Sequence, residues 1–220
     1  MEPRMAAEQA NSTVKVIVWD ADGVLFNTFD ERGRFRWSRT IAEDLAFDAK
    51  VFPHIFSAQW TEVLRGTRDT RMHIAEALAA EGSSLSAEEY IDYWLAKDCS
   101  VNREVAAHLH PTHSCIGTNQ DRLRTDVIAN LFGPVVCRVF ASSSIGFLKH
   151  EEGFYRHVEN ALELAPEQLC LIDDTLDQVA AARRFGWRAH HFVGTAQLDA
   201  FLEEIGFSAR GKNEAPGSLL

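Results

Sequence analysis

The sequence predicts an α/β fold: a three-layer, doubly wound core of parallel strands and helices, with an all-helical segment inserted after the first strand. Three observations predict it. Short apolar runs of strand length alternate with helical patterns along most of the chain. That alternation requires right-handed crossovers, which leave the strands parallel and covered on both faces. Between the first run and the second, the interval from Phe29 to Pro111 carries helical periodicity and no strand pattern.

The elements follow in order. The first strand, Val14 to Trp19, is a β-branched run that stops at Asp20 and the turn-forming "DADG". Apolar spacings of three and four place inserted helices at Arg32 to Phe47, His54 to Leu64, Thr70 to Ala80, Ala87 to Lys97 and Arg103 to Leu109. Ser86 ahead of "AEE" has the pattern of an N-cap with an acidic first turn, and Gly82 that of a helix stop. Further strands are read at His113 to Gly117, Val135 to Ala141, Leu169 to Ile172 and Arg188 to Val193. Helices at Gln120 to Leu131, Glu151 to Leu164, Asp177 to Phe185 and Ala196 to Ile205 separate and follow them. The polar ends, roughly the first ten residues and "SARGKNEAPGSLL", are expected to be disordered. This divides the chain into a core of residues 1–28 and 110–220 and a helical cap of residues 29–109, with crossings at Asn27 to Asp30 and His108 to Thr112. Ligands of such sheets bind beyond the carboxyl ends of the strands, so helices inserted there read as a cap over a site. A helical unit serving stability alone fits the periodicity as well.

Composition narrows the functional classes. A chain of 220 residues that is 46% hydrophobic can bury a sizeable core. Its net charge of −10 is spread along the chain without a basic block, which argues against nucleic acid or an anionic membrane as partner. No apolar run reaches the roughly 18 residues of a membrane span, and "MEPRMAAEQANST" lacks the apolar stretch of a secretion signal. Cys99, Cys115, Cys137 and Cys170 form no CxxC pair, which suits a reduced, cytoplasmic protein.

The chemistry lies at the strand ends. The first strand runs into Asp20 and Asp22, the second into Thr118 and Asn119, the third is followed by Lys149, and the fourth ends in Asp173 and Asp174. Carboxylates converging on one crevice repel each other unless a cation sits between them, and all-oxygen ligation favours Mg²⁺. A hydroxyl, an amide and an ammonium beside it suit a phosphate-like anion.

Taken in order, "DADGVLFNT", "CIGTNQ", "GFLKHEEGFYRHV" and "LCLIDDTLDQVAAARRFGWRAHHF" resemble the four motifs of the haloacid dehalogenase-like (HAD) hydrolase superfamily. The resemblance covers about Val14 to Ile205 and is strongest to small bacterial sugar-phosphate phosphatases whose helical cap lies between the first two motifs. It implies a Rossmann-like core and a phosphomonoester hydrolase acting on a small phosphorylated metabolite. In that reading Asp20 is the nucleophile, forming an aspartyl-phosphate, and Asp22 the general acid and base. Mg²⁺ is held by the Asp20 side chain, the Asp22 backbone carbonyl and Asp174, with Asp173 nearby, while Thr118, Asn119 and Lys149 bind the phosphate. Thr175 and Gln178 stand where the family carries Ser and Asn. His150 replaces a common Pro, and Gly117 a common apolar residue. In the cap, Arg32, Arg36 and Trp37 are candidates to reach the leaving group, although an exposed helix face around a buried Trp explains them equally.

Rival readings fare worse. Asp-Gly alone is a turn signal, an EF-hand would need Gly where Leu25 stands, and in a receiver domain the acidic pair precedes the Lys in a different order. The histidines at 108, 110 and 113 lack the partners of a zinc site. A phosphosugar mutase shares the acid pair. A haloacid dehalogenase lacks the second aspartate, and a binding protein retaining the fold would need a loss elsewhere.

Overall fold

The first strand, β1 (Val16–Trp19), is buried along its whole length because its alternate side chains feed two cores. Val16 and Val18 join Phe154, Val158, Val179 and Trp187 on one face, while Ile17 and Trp19 join Ile128, Phe132 and Leu198 on the other. This computed structural model describes residues 14–207, so the expectations for the two chain ends lie outside the described residues.

After β1 the chain enters the helical insertion: α1 (Ile41–Leu45), α2 (Phe52–Ile55), α3 (Trp60–Leu64), α4 (Thr70–Ala80), α5 (Ala87–Lys97) and α6 (Arg103–Ala106). Helices α4 and α5 match the periodicity end to end. The Ser86 hydroxyl accepts the Glu89 N–H and the Glu89 carboxylate accepts the Ser86 N–H, a closed capping box. Gly82 ends its segment in the left-handed conformation, φ +63°.

Two expected helices do not form as read. Residues 28–36 fold back on themselves, with Phe29 bridged to Phe35 and the Arg36 N–H donating to the Thr28 carbonyl. Asp30 accepts the N–H groups of Arg32 and Arg34, and Gly33 takes φ +72° at the tip, so this local turn outcompetes the helix expected over Arg32 to Phe47. What remains there is a 3₁₀ turn, Arg36–Arg39, and the short α1. The helix expected over His54 to Leu64 is broken between α2 and α3, which lets Phe56 stack on Phe35 while Trp60 meets His73 and Trp94. These aromatics belong to a separate apolar cluster within the insertion, built from Trp37, Ile41, Val51, Ile74, Leu78 and Tyr90 among others. Val105 and Leu109, by contrast, pack into the core beneath the sheet. The insertion leaves and rejoins at one place: the Asn27 N–H donates to the Ser100 carbonyl and the Asn102 N–H to the Leu25 carbonyl.

The rest alternates: β2 (Ser114–Thr118), α7 (Arg122–Phe132), β3 (Arg138–Ala141), α8 (Ser142–Ile145), α9 (Glu152–Leu162), β4 (Leu169–Asp173), α10 (Leu176–Arg184), β5 (Arg188–His191) and α11 (Thr195–Glu204). The third strand starts later than its apolar run suggests because Pro134 opens a 3₁₀ turn ahead of it. The five-stranded sheet has the order β3-β2-β1-β4-β5, with every pairing parallel. Trp19 lies level with Ile116 on one side and Ile172 on the other, so the chain segments that follow β1, β2 and β4 all emerge at one edge. Gly117 has a packing reason: a Cβ there would lie 2.6 Å from Val18 Cγ1 and 3.2 Å from Phe154 Cζ. Among the described residues no helix is long and apolar enough to cross a membrane.

Candidate active site

That edge gathers the predicted residues. A cavity of about 160 Å³ is lined by Asp20, Asp22, Thr118, Asn119, Lys149 and Asp174, together with Phe29, Thr175 and Gln178. Asp173 lies directly beneath it, fully buried, and ties the set together. Lys149 Nζ is 2.5 Å from Asp20 Oδ1 and 2.7 Å from Asp173 Oδ2. The other oxygen of Asp173 accepts the Thr175 N–H at 2.9 Å, which opens the turn into α10.

The turn carrying Lys149 is fixed from three sides. The Asn119 side-chain carbonyl accepts the Lys149 N–H at 2.9 Å, so Asn119 serves here by orienting Lys149. The Glu151 carboxylate accepts the Leu148 N–H at 2.8 Å, and the His150 carbonyl accepts from Arg184 at 3.2 Å. Arg184 holds the carbonyl of His150, and no Pro ring is needed to fix that turn.

Burial pushes the Asp20 carboxyl well above the usual carboxylate range; Lys149 opposes that shift, while Asp173 and Asp22 add to it. Asp174 is raised by burial and by Asp173. For Lys149, burial disfavours the ammonium, but Asp173 and Asp20 outweigh it and hold the group charged, above its ordinary value. One ammonium thus faces three crowded carboxylates. Oxygen atoms of Asp20, Asp173 and Asp174 lie within 4.8 Å of one another, a spacing that fits a small hard cation. Gly23 makes this approach feasible: at φ +82° its missing Cβ would sit 1.9 Å from Asp174 Oδ2. Gly23→Ala is therefore expected to displace Asp174 and weaken Mg²⁺ binding by at least about tenfold; unchanged affinity by calorimetry would contradict this placement.

Asp22 stands apart from the three. Its carboxylate accepts from the Thr28 hydroxyl at 2.9 Å, from Arg124 Nη2 at 3.1 Å and from the Gln120 side-chain amide. Among the predicted metal residues its side chain is thus committed elsewhere, which leaves only its backbone for such a role. Arg124 is fully buried, pairs also with Asp98 at 3.3 Å and lies 4.5 Å above the Phe26 ring. Asp98, at the end of α5, accepts from Trp94 Nε1, and burial pushes its carboxyl up to about 6. Gln120, Arg124 and Asp98 were not singled out from sequence. The available signal was a charge on an apolar stripe: Arg124 shares the buried face of α7 with Ile128 and Phe132, and Asp98 follows Trp94 by four residues.

A second tie joins the insertion to the Lys149 turn. Arg65 grips both oxygens of Glu151, at 2.8 and 2.5 Å, and donates to the Gly146 carbonyl. Beside it the Ser142 hydroxyl donates to the Leu64 carbonyl at 2.6 Å, and Thr70 donates to Asp121 at 3.1 Å. The cap candidates separate: Trp37 is buried against Phe35, Phe52, Tyr90 and Trp94, whereas Arg32 and Arg36 are exposed.

Among curated proteins no significant sequence match was found. Of solved structures, a HAD family enzyme of Bacteroides thetaiotaomicron in its magnesium complex superposes with a TM-score of 0.67 at 13% identity, covering 81% of this chain and 92% of that one. The same enzyme complexed with magnesium and inorganic phosphate gives 0.66 at 13% identity, covering 80% and 93%. L-2-haloacid dehalogenase of Xanthobacter autotrophicus gives 0.59 at 17% identity, covering 90% and 85%. At these identities the likeness is one of fold. The profile of the haloacid dehalogenase-like hydrolases matches residues 14–186, most of the chain and every one of the strand-end residues above, and the protein belongs to that family.

Proposed function

We propose that the protein is a Mg²⁺-dependent phosphomonoester hydrolase acting on a small phosphorylated metabolite, with residues 29–109 serving as the cap. One observation carries this reading. Asp20 and Asp174, clustered with the buried Asp173, line one cavity with a separately held second acid, Asp22. Bound Mg²⁺ would be held by Asp20, Asp174 and the Asp22 backbone, with Asp173 behind, and would offset the repulsion between nucleophile and phosphoryl group.

The chain's own residues supply the remaining steps. Asp20 attacks phosphorus in line and becomes an aspartyl-phosphate, while the bond to the ester oxygen breaks. Asp22 protonates that leaving oxygen and then takes a proton from the water that cleaves the acyl-phosphate. Held by Thr28, Gln120 and Arg124, its carboxyl reaches this geometry without a search through rotamers. Lys149 and Thr118 face the transferring oxygens, and Lys149 also balances Asp20 and Asp173. The ties from Asp98 to Arg124 and from Arg65 to Glu151 support a cap whose position is felt at Asp22 and at Lys149. A reducing, cytoplasmic setting is part of this reading, one in which the Cys115 and Cys137 thiols, 2.6 Å apart, stay unlinked.

The test is a panel of phosphorylated sugars, nucleotides and small acids. Phosphate release is expected with Mg²⁺, with loss of at least about 10²-fold in EDTA and recovery on adding Mg²⁺. Activity indifferent to both would remove the cation from the account. Interconversion of sugar phosphates without phosphate release would indicate a mutase, and chloride release from 2-haloacids a dehalogenase.

A further inference from the structure

The cavity that holds the reacting groups is small. At about 160 Å³ it has room for a phosphoryl group and a cation and little more, so the alcohol portion of any ester must extend outside it. Phe29, partly exposed, forms one wall. The next residue, Asp30, begins the lining of a second cavity of about 440 Å³, whose other walls are Glu31, Arg32, Arg34, Arg36 and Arg39. Consecutive residues link the two: Phe29 lines the first cavity and Asp30 the second, and the Phe29 carbonyl accepts, at 2.7 Å, from Nε of Arg36, itself a wall of the second.

This second cavity runs against the character of the chain. In a protein of net charge −10, four guanidinium groups surround it against two carboxylates. One pair is internally satisfied, since Arg34 Nε and Nη2 both donate to Asp30. Arg36 spends Nε on the Phe29 carbonyl and keeps its terminal nitrogens. Among the described residues Arg32 and Arg39 have no acidic partner, and both are exposed to the cavity. The fold-back of residues 28–36 carries Arg32 near its tip and Arg36 at its end, and with Arg39 at the end of the 3₁₀ turn that follows all three line the same cavity.

We propose that this arginine-lined cavity is a specificity site for a second anionic group on the substrate, so that the preferred esters carry a carboxylate or a second phosphate on the leaving portion. The proposal rests on the phosphatase reading and names its substrate class. Arg32, Arg36 and Arg39 bind the distal anion through charge-assisted, fork-shaped hydrogen bonds, and the Phe29 ring packs against the carbon skeleton between the two ends. The phosphoryl end enters between Asp20 and Lys149 as before.

Matched substrates test it. Glycerol 3-phosphate and 3-phosphoglycerate differ by a hydroxymethyl against a carboxylate, and fructose 6-phosphate and fructose 1,6-bisphosphate by a second phosphate. The ratio of kcat/KM within each pair is expected to favour the more anionic member by at least about tenfold, and to fall toward one in Arg32→Ala combined with Arg39→Ala. Charge-retaining Arg32→Lys and Arg39→Lys should keep part of the preference, and thermal melts check that each variant is folded. A carboxylate preference alone or a bisphosphate preference alone would identify the anion. Wild-type ratios near one in both pairs, or a preference untouched by the double alanine variant, would overturn the proposal while leaving the phosphatase reading in place. Absence of phosphate release from every ester would instead remove that reading, and this inference with it.

Discussion

Asp20→Asn is expected to lower phosphate release by at least about 10³-fold while leaving the fold intact. An amide of nearly the same shape keeps the acceptor for the Ala21 N–H, which lies 2.8 Å from the Asp20 carboxylate, so the end of β1 keeps its conformation. What it loses is the anionic oxygen that forms the bond to phosphorus, a group with no substitute among its neighbours. Asp173 is fully buried behind Lys149, and Asp22 is turned toward Thr28, Gln120 and Arg124. Steady-state phosphate release checks the rate, and a melting curve close to that of the wild type checks the fold. Activity within tenfold of wild type would assign the attack to another group.

Lys149→Met is expected to have the largest effect on stability. It removes the one cation from between Asp20 and Asp173 and leaves two buried carboxylates facing each other. Breaking a buried charge pair from one side costs about 3–5 kcal/mol, and cation-free buffer should show that full range. The sign of the pH dependence follows from Asp20. Its carboxyl is already raised in the folded protein, and loss of Lys149, which opposes that shift, raises it further. A raised carboxyl opposes folding in full above its folded value; the penalty shrinks as pH falls through that value and is gone only below the unfolded one. The stability deficit should therefore shrink as pH is lowered from neutral toward the ordinary carboxylate range. Urea unfolding at two pH values measures it, and a deficit below about 1 kcal/mol with no pH dependence would deny the ammonium this role. Activity should fall by at least about 10²-fold as well, since the transferring oxygens lose their cationic partner.

The sheet and the polar residues gathered at its edge were legible in the sequence for a physical reason. Buried parallel strands read as continuous apolar runs, and the polar residues that end them are forced to one edge by the parallel pairing. Asp20, Thr118, Lys149, Asp173 and Asp174 were found this way. Their supports were not, because each acts across long sequence separations. Arg65 reaches Glu151, and Arg124 reaches Asp22 and Asp98, through tertiary packing that no local period encodes. Arg124 and Asp98 nonetheless left a trace as charges on apolar helix faces, and a buried charge in such a position calls for a partner. The fold-back of residues 28–36 takes over the start of the helix expected over Arg32 to Phe47, where Arg, Phe and Trp spacing fits a helical period. The deciding bonds come from the Asp30 side chain to its own backbone neighbours, together with the left-handed Gly33. That local competition also placed Arg32, Arg36 and Arg39 around one cavity, while it left Trp37 to complete the apolar cluster of the insertion.

The central claim is that Asp20 carries the phosphoryl group during turnover. Acid quenching of the protein during steady-state hydrolysis, followed by borohydride reduction and peptide mass spectrometry, tests it directly, because an acyl-phosphate is reduced to the alcohol whereas a free carboxylate is not. The account predicts substrate-dependent conversion of Asp20 to homoserine, with Asp22, Asp173 and Asp174 unmodified. Sustained phosphate release with Asp20 unmodified, or with the reduced residue at another position, would contradict it.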